Sequence, residues 1–132
     1  MKVSDLSGAI LDYWVLRAEG WIDDRLCDMQ LTRNGEYCIA GAAPKHAVGG
    51  HCWRSPSTDW TIGGPLIDRE GIGIWKGYDS ESRGKKIVWE ASTGDPVSAI
   101  EISGAQGEGP TPLVAAMRAF VRNWFGEEVP DV

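Results

Sequence analysis

The stretch from Thr111 to Gly126 constrains the fold more than any other part of the chain. Thr111 is suited to cap a helix N-terminus, Pro112 to occupy its first position, and Gly126 to end it. Between them Leu113, Met117, Phe120 and Trp124 recur on one face, flanked by Val114 and Val121. A helix apolar on one side only needs a second layer to bury that side. The strand-like segments upstream supply a sheet to cover.

The firmest strand signal is a hairpin. Cys27 to Arg33 alternates, with Cys27, Met29 and Leu31 on one face and Asp28, Gln30 and Thr32 on the other. Asn34-Gly35 then suits a two-residue turn, and Glu36 to Ala40 returns. Gly73–Lys76, Lys86–Ala91 and Val97–Ile102 read as further strands, with Trp75, Ile87 and Trp89 as inward candidates. Gly104 to Gly109 reads as a flexible connector. An N-terminal helix is expected from Ser7 to Glu19, capped by Ser4 or Ser7 and ended by Gly20. Its stripe is Ile10, Leu11, Trp14, Val15 and Ala18, with Asp12 and Glu19 turned away from it. Residues 41–65, rich in Gly and Pro, read as a long irregular segment followed by a short helix from Pro65 to Gly71. The expectation is one α+β domain over residues 1–132. An antiparallel sheet of about five strands is covered by the N-terminal and C-terminal helices.

With 19 acidic and 13 basic residues the formal net charge is -6, which opposes any binding that neutralises phosphates, so nucleic acid is an unlikely partner. The start of the chain has no signal-like apolar stretch and no segment approaches the ~20 apolar residues of a membrane span, so a cytoplasmic location is expected. Three cysteines show no C-x-x-C spacing, and His46, His51 and Cys52 lack the spacing of common zinc sites. Neither a metal nor a cofactor is expected. Oligomeric state is left open.

The densest polar cluster is Ser55, Ser57, Thr58 and Asp59 beside Trp60 and the Gly63-Gly64 pair. These residues can serve as loop structure, Asp59 or Ser57 closing a turn and Trp60 pinning the loop to the core. The second reading is that they offer an aromatic plate and polar groups to a ligand. Arg118 and Arg122 lie one turn apart on the polar face of the last helix, and Asp59 or Glu70 is expected to bond Arg118.

Several blocks resemble the NinX-like family of small bacteriophage and prophage proteins. They are Asp12-Tyr13-Trp14-Val15, Ser55-Pro56-Ser57-Thr58-Asp59-Trp60, Gly63-Gly64-Pro65-Leu66-Ile67-Asp68-Arg69-Glu70, and Thr111-Pro112-Leu113 with Ala115-Ala116-Met117-Arg118. The resemblance implies a phage origin and an accessory role, and it carries no catalytic residues. No Ser-His-Asp arrangement can be ordered from the sequence, so whether the chain is an enzyme stays open. The leading expectation is a non-enzymatic module that binds a host or phage protein. The alternative is a binder or hydrolase of a nucleotide or phosphorylated metabolite using residues 55–70. Candidate binding residues are Ser57, Thr58, Asp59, Trp60, Gly63, Gly64, Glu70 and Arg118.

Overall fold

The computed structural model describes residues 1–20, 27–31, 37–41, 55–78, 87–94 and 104–130. Among them are three helices, α1 (Gly8–Ala18), α2 (Trp60–Glu70) and α3 (Pro112–Phe125), and a short 3-10 turn at Val3–Asp5. Five strands are present, β1 (Cys27–Leu31), β2 (Tyr37–Gly41), β3 (Gly73–Tyr78), β4 (Ile87–Ser92) and β5 (Gln106–Gly109). The class is α+β with antiparallel pairing. The strands do not form the expected single sheet: β1 pairs with β2, and β3-β4-β5 form a separate three-stranded sheet. The Asn34-Gly35 turn and the expected strand Val97–Ile102 lie outside the described residues.

Helix α3 forms as its punctuation dictates. The Thr111 hydroxyl accepts the Val114 N–H at 3.2 Å, Pro112 follows the cap, and Gly126, with φ 88°, ends the helix. Thr111→Ala is expected to lower stability by ~1 kcal/mol without altering the fold. Matched urea titrations check this, and an unchanged midpoint would show that water replaces the cap at no loss.

One side of α3 lies on the sheet, and the helix also touches α1 and α2. Its buried residues are Leu113, Ala115, Ala116, Met117, Ala119, Phe120 and Val121. All but Leu113 join Leu11, Val15 and Leu16 of α1, Leu66 of α2, Ile72 and Ala91 in one core. Trp124, expected on the buried face, is 59% exposed. It sits in the last turn of α3, with an edge contact to Phe120 at 6.4 Å between centroids.

Glycines allow the close approach of α3 to β5. A Cβ on Gly107 would fall 2.2 Å from the Ala115 carbonyl oxygen and 2.5 Å from the Ala119 nitrogen. One on Gly109 would fall 2.8 Å from Val114 Cγ1. Residues 106–109 are therefore a strand under a helix, not the expected connector.

Two further expectations are corrected. Trp75, expected inward, is outward and 36% exposed, because Ile74 takes the core-facing position of β3 opposite Ala91. The helix expected from Pro65 begins at Trp60, with Pro65 in its interior and Gly71 ending it in the left-handed conformation at φ 64°. An interior proline forfeits one backbone hydrogen bond and crowds the residue before it. Gly64, with no Cβ, relieves that crowding. Among the described residues no helix is long and apolar enough to cross a membrane.

Candidate functional site

The segment from residue 55 to 70 is a turn feeding a capped helix. Ser55 begins a helical turn in which its carbonyl accepts the Asp59 N–H at 2.9 Å. Asp59 then caps α2, its Oδ1 accepting the Thr61 N–H at 3.0 Å and the Thr61 hydroxyl at 2.7 Å. These bonds favour the ionised form and hold the Asp59 carboxyl below its ordinary value. The cap fixes the first turn of α2, where the Trp60 indole is 54% exposed. The ring lies along the helix over Gly64, where a Cβ would sit 3.7 Å from Trp60 Cε3.

Ser57 and Gly63 face the other way. Ser57 is 2% exposed, and its backbone N–H donates to Asp12 Oδ1 at 2.8 Å. Its hydroxyl leans on the same carboxylate but makes no well-formed hydrogen bond to any group. A Cβ on Gly63 would meet the Pro56 carbonyl oxygen at 2.4 Å and Leu113 Cδ2 at 2.7 Å. Thr58 is exposed. Glu70 is also exposed and accepts from Arg69 Nε at 3.0 Å.

Asp12 is the residue that sequence reasoning misplaced most. Expected away from the apolar stripe of α1, it is 5% exposed. Tyr13, Trp14, Val15 and Leu16 are buried beside it, so α1 has little outward face on which a carboxylate could lie. Burial pushes the Asp12 carboxyl up to about 6, against a smaller opposing pull from Ser57.

The bond expected between Arg118 and Asp59 or Glu70 is absent. Arg118 instead donates from Nε to the Leu6 carbonyl at 2.8 Å and from Nη1 to the Glu108 carbonyl at 2.7 Å. Main-chain acceptors were nearer than either carboxylate, because the guanidinium spans the gap between the N-terminal segment and β5. Half-burial pulls Arg118 below its ordinary value, while Asp5 and Glu108 oppose that shift. One turn on, Arg122 donates to the Gln106 carbonyl at 3.2 Å and to Glu127 Oε1 at 2.7 Å. Arg118 and Arg122 thus hold alternate carbonyls of β5, Glu108 and Gln106.

Both arginines border a cavity of about 360 Å³, with Ser4, Trp75, Glu90 and Glu108 among its lining. Of the eight candidate binding residues only Arg118 is in the lining of this cavity. The missed signal was the alternation of glycine with Gln106 and Glu108, which places side chains on one face of β5 and a helix on the other.

The blocks that carry the resemblance converge in space. Asp12 of the first bonds Ser57 of the second, and Gly63 of the third packs between Pro56 of the second and Leu113 of the fourth. No curated protein matches the chain. The model of the family described as Bacteriophage P22, NinX matches residues 2–123, which takes in α1, α2, all five strands and most of α3. The chain therefore belongs to the phage P22 NinX family.

Proposed function

We propose that the protein is a non-enzymatic phage accessory protein. It works in the cytoplasm of a bacterial host and binds a host or phage protein through the start of α2. The observation that carries this reading is Trp60, an indole 54% exposed on a helix turn fixed from behind. The Asp59 cap, the Asp12–Ser57 bond and the Pro56–Gly63 contact set its position before any partner arrives. A tryptophan held this way loses little freedom on binding, and such aromatics dominate interface energetics. With Ser57 and Gly63 turned inward, a partner can reach Thr58, Asp59, Trp60 and Gly64.

Affinity capture from infected and uninfected host lysates should return a reproducible partner. Trp60→Ala is expected to weaken its binding by about tenfold, a change of ~1.4 kcal/mol, with no loss of fold. A purified partner that binds the variant and the parent equally would remove Trp60 from the interface. The small-ligand alternative is checked by thermal shift against nucleotides and phosphorylated metabolites, where a ligand at ~100 times its Kd adds ~2.7 kcal/mol.

A further inference from the structure

Strands β3 and β5 border the three-stranded sheet, and their outer edges are finished differently. Along β5 the Gln106 and Glu108 carbonyls are held by Arg122 and Arg118. The phase of the sheet shows what β3 presents. Next to β4 and β5 the Thr93 N–H donates to the Ala105 carbonyl at 3.0 Å, in register with the pairs Ala91–Gly107 and Trp89–Gly109. Antiparallel partners alternate between hydrogen-bonded and non-bonded pairs. Residues 89 and 91 of β4 therefore bond β5, while residues 88, 90 and 92 bond Gly77, Trp75 and Gly73. The N–H and C=O groups of Ile74 and Lys76 are left pointing away from the sheet. Among the described residues these four groups have no hydrogen-bond partner. A lysine commonly guards such an edge. Lys76 is drawn inward instead, its Nζ 5.3 Å from the centre of the Trp89 ring on β4.

We propose that β3 pairs antiparallel with β3 of a second copy of the chain, about a two-fold axis at Trp75, joining the two sheets into one. The open stretch is symmetrical about Trp75, which is why it suits its own copy. With Ile74 opposite Lys76 of the second copy, all four groups on each strand gain a partner. Neighbouring registers fail. Setting Ile74 opposite itself brings Lys76 to Ile72 of the second copy, whose N–H already donates to the Ile67 carbonyl at 3.0 Å. Setting Lys76 opposite itself opposes like charges. The chosen register makes the two Trp75 residues a non-bonded pair, the kind whose side chains approach most closely, with Cα atoms ~4.5 Å apart. It thereby covers an indole that is 36% exposed and already positioned by its bond to Glu90. The Glu90 residues of the two copies stand three strand spacings apart, ~14 Å, beyond the ~8 Å over which exposed charges repel at physiological salt. This surface is separate from Trp60, so the pairing stands whether or not Trp60 binds a partner.

Sedimentation velocity of the full chain from about 5 to 500 μM should show a reversible monomer–dimer equilibrium, as suits a small interface. Lys76→Pro removes one outward N–H and leaves the β3–β4 bonds in place, so it should dimerise at least tenfold more weakly. Should that variant not fold, Trp75→Lys, which opposes like charges at an exposed position, is expected to weaken the dimer at least tenfold as well. Trp60→Ala should dimerise like the parent. Mild oxidation reads the register. Trp75→Cys should form a disulfide-linked dimer above the level given by the parent's own three cysteines, because a Cα separation of ~4.5 Å permits the bond. Lys76→Cys should not. A chain that stays monomeric at about 500 μM would overturn the proposal. So would folded Lys76→Pro or Trp75→Lys proteins that associate as the parent does, or equal cross-linking through positions 75 and 76.

Discussion

Gly107→Ala is expected to destabilise the protein by about 3 kcal/mol or more, lowering the melting temperature by roughly 10 °C. The new Cβ would stand 2.2 Å from the Ala115 carbonyl oxygen and 2.5 Å from the Ala119 nitrogen. Both are backbone atoms of α3, so no side-chain rotation relieves the overlap. Either β5 leaves its register with β4 or α3 lifts off the sheet. Lifting α3 withdraws Met117 and Phe120 from the core and Arg118 from the Leu6 and Glu108 carbonyls. Gly109→Ala is the internal comparison. Its nearest contact, at 2.8 Å, is the Val114 side chain, which can turn, so about half the loss or less is expected. Urea denaturation of both variants measures the difference, and a Gly107→Ala midpoint within error of the parent would refute the helix-on-strand spacing.

Where local chemistry and tertiary demand agree, the structure was legible in the sequence. Thr111, Pro112 and Gly126 punctuate α3 in a way that few other conformations satisfy, and they stand at the boundaries expected. β5 was not legible because its strand character is not local. Gln106-Gly107-Glu108-Gly109 has no β-branched or aromatic residue, and its glycines serve a helix that arrives later in the chain. Trp75 illustrates a parity problem. Ile74 and Trp75 are adjacent and both apolar, so alternation alone cannot choose between them, and the contact of Ile74 with the core decides. The 55–70 segment was misread because Pro65 looks like a helix start, although Asp59 was already recognised as a residue that bonds nearby N–H groups. Of the nominated site, the structure leaves Trp60, Thr58 and Asp59 accessible, while Ser57 and Gly63 serve the packing. The cavity at β5 was unreadable without the sheet register.

Asp12 carries the second large expected effect, a stability that falls as pH rises through the weakly acidic range. Its carboxyl is pushed up to about 6 in the folded protein from an ordinary 3.8, because burial disfavours the charged form. Below pH ~4 the group is protonated in both folded and unfolded chains and contributes nothing. Between pH ~4 and ~6 the unfolded chain ionises first, which favours unfolding, and above pH ~6 the whole penalty is present. The separation corresponds to about 3 kcal/mol. Asp12→Asn keeps an oxygen for the Ser57 N–H and brings an amide N–H that the otherwise unpartnered Ser57 hydroxyl can accept. This variant is expected to be more stable than the parent by up to about 3 kcal/mol at pH 7, with the two converging near pH 4. Asp12→Ala also removes the charge, but it leaves the buried Ser57 N–H unsatisfied, so it should lower stability by ~1–3 kcal/mol at pH 4, a loss that relief of the charge penalty offsets by pH 7. Urea titrations of all three proteins at half-unit intervals from pH 4 to 8 separate the two effects. Parallel curves for the parent and Asp12→Asn would show that the carboxyl is not held near 6.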